Sequence, residues 1–199
     1  DEEITKAVEA GKKNFVGFEL PGKTLGVIGL GAIGGGVANS AVALGMHVIG
    51  YDPAITINAA WNLSSQVERV NDVDEIFKRA DVVTVHVPLI EATKGLVNAE
   101  RLAMMRPNAT ILNFARAGIV DDADITAALD AGKLGSYVCD FPSNALKGNP
   151  RVLALPHLGA STNEAEDNCA VMAAQELRDY LENGNITNSV NFPEAQLHA

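Results

Sequence analysis

The sequence predicts an α/β fold, a doubly wound parallel sheet covered by helices on both faces, and three observations carry that expectation. Seven short β-rich runs alternate with helix-like stretches along most of the 199 residues. The composition is aliphatic, with 47% hydrophobic residues and only 5% aromatic ones. The first β-rich run empties into a glycine-rich turn where a helix should begin.

The elements follow in order. DEEITKAVEAGKK at 1–13 reads as a helix, within a helical lead-in that spans 1–19. Strands are expected at 24–29 (TLGVIG), 47–52 (HVIGYD), 66–70 (QVERV), 81–87 (DVVTVHV), 109–114 (ATILNF), 136–141 (SYVCDF) and 151–155 (RVLAL). Each is a short β-branched or aliphatic run bounded by Gly, Asp or Pro. Helices are expected between them at 32–44, 72–79, 98–105 and 122–131, the last with acids at its start and a Gly-Lys stop. FPSNALKGNP (141–150) is the longest loop-like stretch. A longer helix at 162–182 starts at a Ser or Thr cap and ends at Asn183 and Gly184. The domain expectation is a dinucleotide-binding domain over 20–184 and an extended tail over 185–199.

Composition also excludes partners. A formal charge of -10 argues against nucleic acid and against an anionic membrane surface, which need clustered Lys and Arg. No run approaches the roughly 18 to 20 apolar residues of a membrane span. Cys139 and Cys169 are the two cysteines, without the spacing of a metal site or a disulfide framework, so both are expected to be reduced and buried in a soluble, cytoplasmic protein. No metal site is expected.

The glycine-rich turn reads Gly29 Leu30 Gly31 Ala32 Ile33 Gly34, the G-x-G-x-x-G pattern at a strand-to-helix junction. Gly29 permits the tight turn, Gly31 lets a pyrophosphate approach the backbone, Gly34 lets helix and strand pack closely, and the helix start supplies N–H donors. This is the Rossmann dinucleotide-binding arrangement. Asp52, at the end of the second strand and about 20 residues past the turn, suits the adenosine ribose hydroxyls. No Arg follows it, so a 2'-phosphate would meet a like charge and NAD is expected over NADP, by ~1.5 to 3 kcal/mol.

Three more strand ends reach the same edge: HVPL (86–89), NFARAG (113–118) and PHLGAST (156–162). Arg116 could hold a carboxylate through a bidentate pair, and His157 could take a hydroxyl proton as hydride leaves the adjacent carbon. Gly159 would let the backbone pass close to the cofactor. A packed imidazole at a strand end is the other reading of His157.

GKTLGVIGLGAIG, VHVPL followed by TKGLVN, NFARAGIVDD, YVCDFP and LPHLGAST stand in an order and spacing that resemble the D-2-hydroxyacid dehydrogenases, most closely their phosphoglycerate dehydrogenase branch, over residues 20–192. That resemblance implies an NAD-dependent oxidoreductase acting on a small 2-hydroxy or 2-oxo acid, built as a homo-oligomer. It implies Arg116 as the substrate-binding arginine and His157 as the acid/base. Ala32, Ile33 and Asp52 would hold pyrophosphate and ribose, Val87 and Pro88 would border the adenosine, and Phe114 and Ala115 would line the nicotinamide side. Asp140 would accept a bond from the nicotinamide carboxamide, and Gly159 and Ala160 would complete the cofactor contacts beside His157. The family builds its substrate domain mostly from preceding sequence. This chain starts without Met, so it is expected to be the nucleotide-binding part of a larger enzyme with most of the substrate domain absent. NSVNFP (188–193) resembles a lead toward a further domain.

Two positions depart from the family pattern. Its Arg-Gly-Gly is Arg116 Ala117 Gly118 here, which is mild if Ala117 has an ordinary backbone angle. The glutamate that usually orients the catalytic imidazole is missing from SNALKGN (143–149). Glu164 is the preferred substitute, with Glu166 and Asp140 as alternatives. Loss of that acid also keeps open a non-catalytic NAD(H)-sensing module of the same family. A Rossmann enzyme of other chemistry, such as an adenosylhomocysteinase-like hydrolase, is a further alternative.

Overall fold

The structure, a computed structural model, describes residues 1–193 and 195. The chain divides into two compact units, Asp1–Pro156 and His157–Ala199. The expected dinucleotide-binding domain over 20–184 draws on both of them.

The first unit holds seven strands: β1 (Thr24–Ile28), β2 (His47–Tyr51), β3 (Val67–Arg69), β4 (Val82–Val85), β5 (Ala109–Asn113), β6 (Leu134–Cys139) and β7 (Val152–Ala154). All pair in parallel, in the order β3-β2-β1-β4-β5-β6-β7. The expected sheet is therefore present, with every strand within two residues of its expected ends. Six helices accompany it: α1 (Glu2–Gly11), α2 (Ala32–Ala43), α3 (Ile57–Trp61), α4 (Val73–Arg79), α5 (Ala99–Met104) and α6 (Asp122–Asp130).

Two apolar layers flank the sheet, as parallel strands buried on both faces require. On one face Leu25, Val27, Val48 and Val82 pack with Ala38 and Ala41 of α2. On the other, Ile28, Ile49, Val83, Val85, Ile111 and Tyr137 pack with Ile76 and Phe77 of α4, Leu102 of α5, and Ile125 and Leu129 of α6. β4 lies mid-sheet and is buried at every position, which explains its unbroken VVTV run.

Helix starts follow capping chemistry. Thr56, Asp72, Asn98 and Asp121 each accept a backbone N–H with a side-chain oxygen at the starts of α3, α4, α5 and α6. α3 was not expected. A 3-10 turn at Asn144–Leu146 lies inside the expected loop, with Leu146 buried beneath it. The helical lead-in is α1 followed by a 3-10 turn at Lys12–Phe15, and α1 buries none of its residues.

The second unit is built on α7 (Asn163–Asn183), capped by the Thr162 hydroxyl and closed by Gly184 at φ 75°. α7 also buries no residue. This corrects one expectation: Cys139 is free and buried inside β6, whereas Cys169 on α7 is free but exposed. Among the described residues no helix is long and apolar enough to cross a membrane.

Candidate cofactor site

The strand order reverses between β1 and β4: β2 and β3 follow on one side, β5 to β7 on the other. Doubly wound sheets bind ligands beyond the carboxyl ends of the strands at this reversal. The glycine turn sits there.

Gly29 leaves β1 at φ 93°, and its N–H donates to the Tyr51 carbonyl at 2.9 Å. A Cβ on Gly29 would stand 2.5 Å from the His86 carbonyl oxygen, and one on Gly34 would fall inside the Gly29 carbonyl. Both glycines are thus required by the protein's own packing. Gly31 differs, since a Cβ there meets nothing within 4 Å. The space over Gly31 faces the start of α2, which carries no side-chain cap, unlike α3 to α7. The first-turn N–H groups, with the positive end of the helix dipole, are left for an anion, so the turn fits a pyrophosphate.

Asp52 is pinned against this turn. Its Oδ2 accepts the Leu30 N–H at 2.8 Å and its Oδ1 accepts the Ala54 N–H at 2.9 Å. An ionised carboxylate offers about four acceptor sites, so capacity remains for ribose hydroxyls. At the end of β4 the His86 N–H donates to Ile28 O at 2.7 Å, and ring Nε2 lies 3.0 Å from Thr84 Oγ1. Burial holds the His86 imidazole below its usual pKa. Val87 follows half-buried and Pro88 exposed.

β5 delivers Phe114, Ala115 and Arg116. Arg116 Nη1 donates to the Ala115 carbonyl at 2.8 Å, and the guanidinium lies 5.7 Å from the centre of the Phe141 ring. Asn113, the last residue of β5, is only 1% exposed. Its Oδ1 accepts the Ala115 N–H at 3.1 Å, and its Nδ2 donates to the Arg116 carbonyl at 2.9 Å and reaches the Tyr137 hydroxyl at 3.4 Å. Sequence reasoning passed over Asn113, although an amide closing the aliphatic run ATILN was a visible signal. Ala117 takes an ordinary backbone angle: among the described non-glycine residues only Asn108 and Asn188 have positive φ. The left-handed position is Gly118, at φ 83°.

β6 ends at Cys139, whose thiol burial pushes up in pKa, and Asp140 follows at 9% exposure. The carboxyl edge of one sheet therefore gathers the glycine turn with Ala32 and Ile33, Asp52, Val87, Pro88, Phe114, Ala115, Arg116 and Asp140. His157, Gly159 and Ala160 open the second unit and are exposed, as is Glu164 in the first turn of α7.

Comparison with known proteins decides the family. The description "D-isomer specific 2-hydroxyacid dehydrogenase, NAD binding domain" matches residues 2–159. The chain belongs to the D-isomer specific 2-hydroxyacid dehydrogenase family. It is 41% identical over 201 residues to a D-3-phosphoglycerate dehydrogenase of Methanocaldococcus jannaschii, covering 96% of this chain and 38% of that protein. A D-3-phosphoglycerate dehydrogenase of Synechocystis is 39% identical over 188 residues, covering 92% of this chain and 33% of its own length. Among solved structures, apo D-mandelate dehydrogenase of Rhodotorula graminis superposes with a TM-score of 0.84 at 27% identity, covering 98% of this chain and 59% of that one. The chain thus spans about a third of the curated relatives' length. The cofactor of this NAD-binding domain is NAD, and the glycine turn and Asp52 supply the donors and acceptors that a dinucleotide needs.

Proposed function

We propose that this chain is the nucleotide-binding part of an NAD-dependent dehydrogenase that interconverts a 2-hydroxy acid, 3-phosphoglycerate, and its 2-oxo acid, with serine biosynthesis as its setting. The observation that carries the reading is the glycine cradle at the β1/β4 reversal, open over Gly31 and flanked by Asp52, in a chain 41% identical to a D-3-phosphoglycerate dehydrogenase.

NAD supplies the hydride acceptor at its nicotinamide ring. The start of α2, at Ala32 and Ile33, holds the pyrophosphate, and Asp52 takes the ribose hydroxyls. Val87 and Pro88 border the adenosine, Phe114 and Ala115 flank the nicotinamide, and Asp140 accepts the carboxamide N–H. Arg116 holds the substrate carboxylate through its fork of donors. His157 takes the C2 hydroxyl proton as hydride departs and returns it in reverse, with Glu164 orienting the imidazole. Gly159 and Ala160 let the backbone beside His157 approach the cofactor.

Residues 1–19 serve as a helical lead-in, 20–184 as the dinucleotide-binding domain and 185–199 as a tail toward a further domain. Most of the substrate domain comes from elsewhere in the whole protein, which is a cytoplasmic homo-oligomer. A second reading, an NAD(H)-sensing module without turnover, is favoured by the absence of any acid in 143–149.

Steady-state turnover of 3-phosphoglycerate with NAD by the full-length protein tests the proposal. Turnover is expected there, while the 199 residues alone bind NADH and turn over poorly, since substrate contacts and exclusion of water come from domain closure. NADH binding without turnover in the full-length protein would overturn the enzymatic reading in favour of the sensor.

A further inference from the structure

Arg116 is carried by a short arc, and the arc is held at both ends. On its far side Gly118 and Ile119 accept N–H bonds from Gly95 and Val97 at 2.8 and 3.0 Å, and the Asp121 N–H returns to Val97 O at 2.9 Å. On its near side the β5 ladder stops at Asn113, and among the described residues no strand neighbour bonds the Ala115 N–H or the Arg116 carbonyl. Instead the Asn113 side chain takes both, one with each end of its amide.

Burying an amide costs several kcal/mol unless its polar atoms are bonded, so a buried Asn at a strand end needs all of these partners. Its geometry is also specific. Oδ1 must face an N–H and Nδ2 a C=O, and an amide of this length offers an acceptor and a donor side by side. An ionised Asp, equal in shape, would set an acceptor against the Arg116 carbonyl. Beyond the backbone, the guanidinium has one N–H spent on Ala115 O and the Phe141 ring beside it. The guanidinium is otherwise exposed, so what the fold fixes is the backbone from which it extends.

We propose that Asn113 is a positioning residue for Arg116, clamping the 114–116 arc so that the Arg116 side chain extends toward the substrate carboxylate from a fixed backbone position. The inference rests on the reading of Arg116 as the substrate arginine. Bidentate recognition makes position costly to lose: a displacement of about 1 Å in a positioning contact can cost ~100-fold in rate.

Two readouts test it separately from that reading. In the 199-residue chain, amide exchange at Ala115 and the order of the Arg116 Nε–Hε group are measured by NMR in wild type, Asn113→Asp and Asn113→Ala, with the dispersed amide spectrum of β1 and β4 as the control for a folded domain. The clamp predicts at least ~10-fold faster Ala115 exchange and a more mobile Arg116 side chain, with the β1 and β4 spectrum kept. Unchanged exchange and mobility would overturn it, whatever the protein turns over. In the full-length protein, Asn113→Asp should raise KM for the 2-hydroxy acid and lower kcat/KM about 10- to 100-fold, yet by less than about 3-fold when Arg116 is already Ala. The same loss in both backgrounds would show that Asn113 acts through some other group. Should the full-length protein lack turnover, the NMR readout alone still decides the clamp.

Discussion

A single carboxylate, that of Asp52, joins the glycine turn to the end of β2 by accepting the Leu30 and Ala54 N–H groups. NADH should therefore bind at least ~10-fold more tightly than NADPH, about 1.4 kcal/mol, and Asp52→Ala should narrow the gap to about 3-fold, mostly by weakening NADH. Calorimetry that finds equal affinities in the wild type would end the ribose assignment. His157→Gln in the full-length protein should lower turnover ~100- to 10,000-fold with NADH affinity within a few-fold. Glu164→Gln should lower turnover and shift the acidic limb of the pH profile; an unaffected Glu164→Gln enzyme would remove only the proposed partner of His157. His86 gives a pH effect of defined sign. Burial depresses its folded pKa below 6.5, so the unfolded chain binds the proton first as pH falls. Its stabilising share is full above about pH 6.5 and is lost as pH drops from there toward the lowered value. The urea midpoint should fall between pH 7.5 and 5.5, and less so in His86→Gln, where an amide can still reach the Thr84 hydroxyl; parallel curves would exclude His86 as the cause. At this scale the places of Gly29, Gly31, Gly34, Asp52 and Arg116 along the carboxyl edge were legible because spacing ties each to a strand end. Asn113 was visible only as an amide closing an aliphatic run, since no spacing records its side-chain bonds to its own backbone neighbours.

Among the elements, the glycine turn and α2 form the part most sensitive to one added carbon. Gly34→Ala must push the Gly29 carbonyl aside, so it should cost about 1–3 kcal/mol of stability as overpacking and weaken NADH at least ~10-fold. Gly36→Ala is the control, since its methyl meets nothing within 4 Å; it should stabilise the helix by roughly 0.5–1 kcal/mol and leave NADH affinity alone. Equal NADH affinity in both variants would refute the close-packing role of Gly34. The seven strands were readable because buried parallel strands are short aliphatic runs with sharp boundaries. β6 starts earlier than its sequence suggests, at Leu134, because Gly135 interrupts the run. That glycine answers to a distant neighbour: a Cβ there would lie 2.6 Å from the carbonyl of Asn108, which turns through φ 61° before β5. α3 escaped notice because five residues with no buried side chain show no period, and its only local mark is the Thr56 cap. Cys169 misled for the same reason from the other side, since a thiol's usual preference for burial says nothing about a helix that buries no residue in this chain.

For the whole molecule, the doubly wound architecture followed from alternation, aliphatic composition and the glycine turn, whereas the division at Pro156 and His157 left no mark in composition. The strand order also has a consequence in time. Every neighbouring pair except β1 and β4 is consecutive along the chain, so the sheet consists of two sequential runs, residues 24–69 and 82–154. As strands they pair only along the register from Leu25↔Val82 to Ile28↔Val85. Each run can assemble from nearer contacts first, and the join between them, the strand pair with the largest separation along the chain, is expected to close late. The snug passage of Gly29 past the His86 carbonyl straddles that join, so the nucleotide cradle does not exist until both halves have docked. A ligand that recognises only the finished cradle stabilises the native state without helping the transition state that precedes it. NADH at about 100 times its Kd should accordingly add ~2.7 kcal/mol and slow unfolding roughly 100-fold while leaving the refolding rate unchanged. Stopped-flow refolding accelerated by NADH would instead mean that the β1/β4 join forms early, with the two halves consolidating around it.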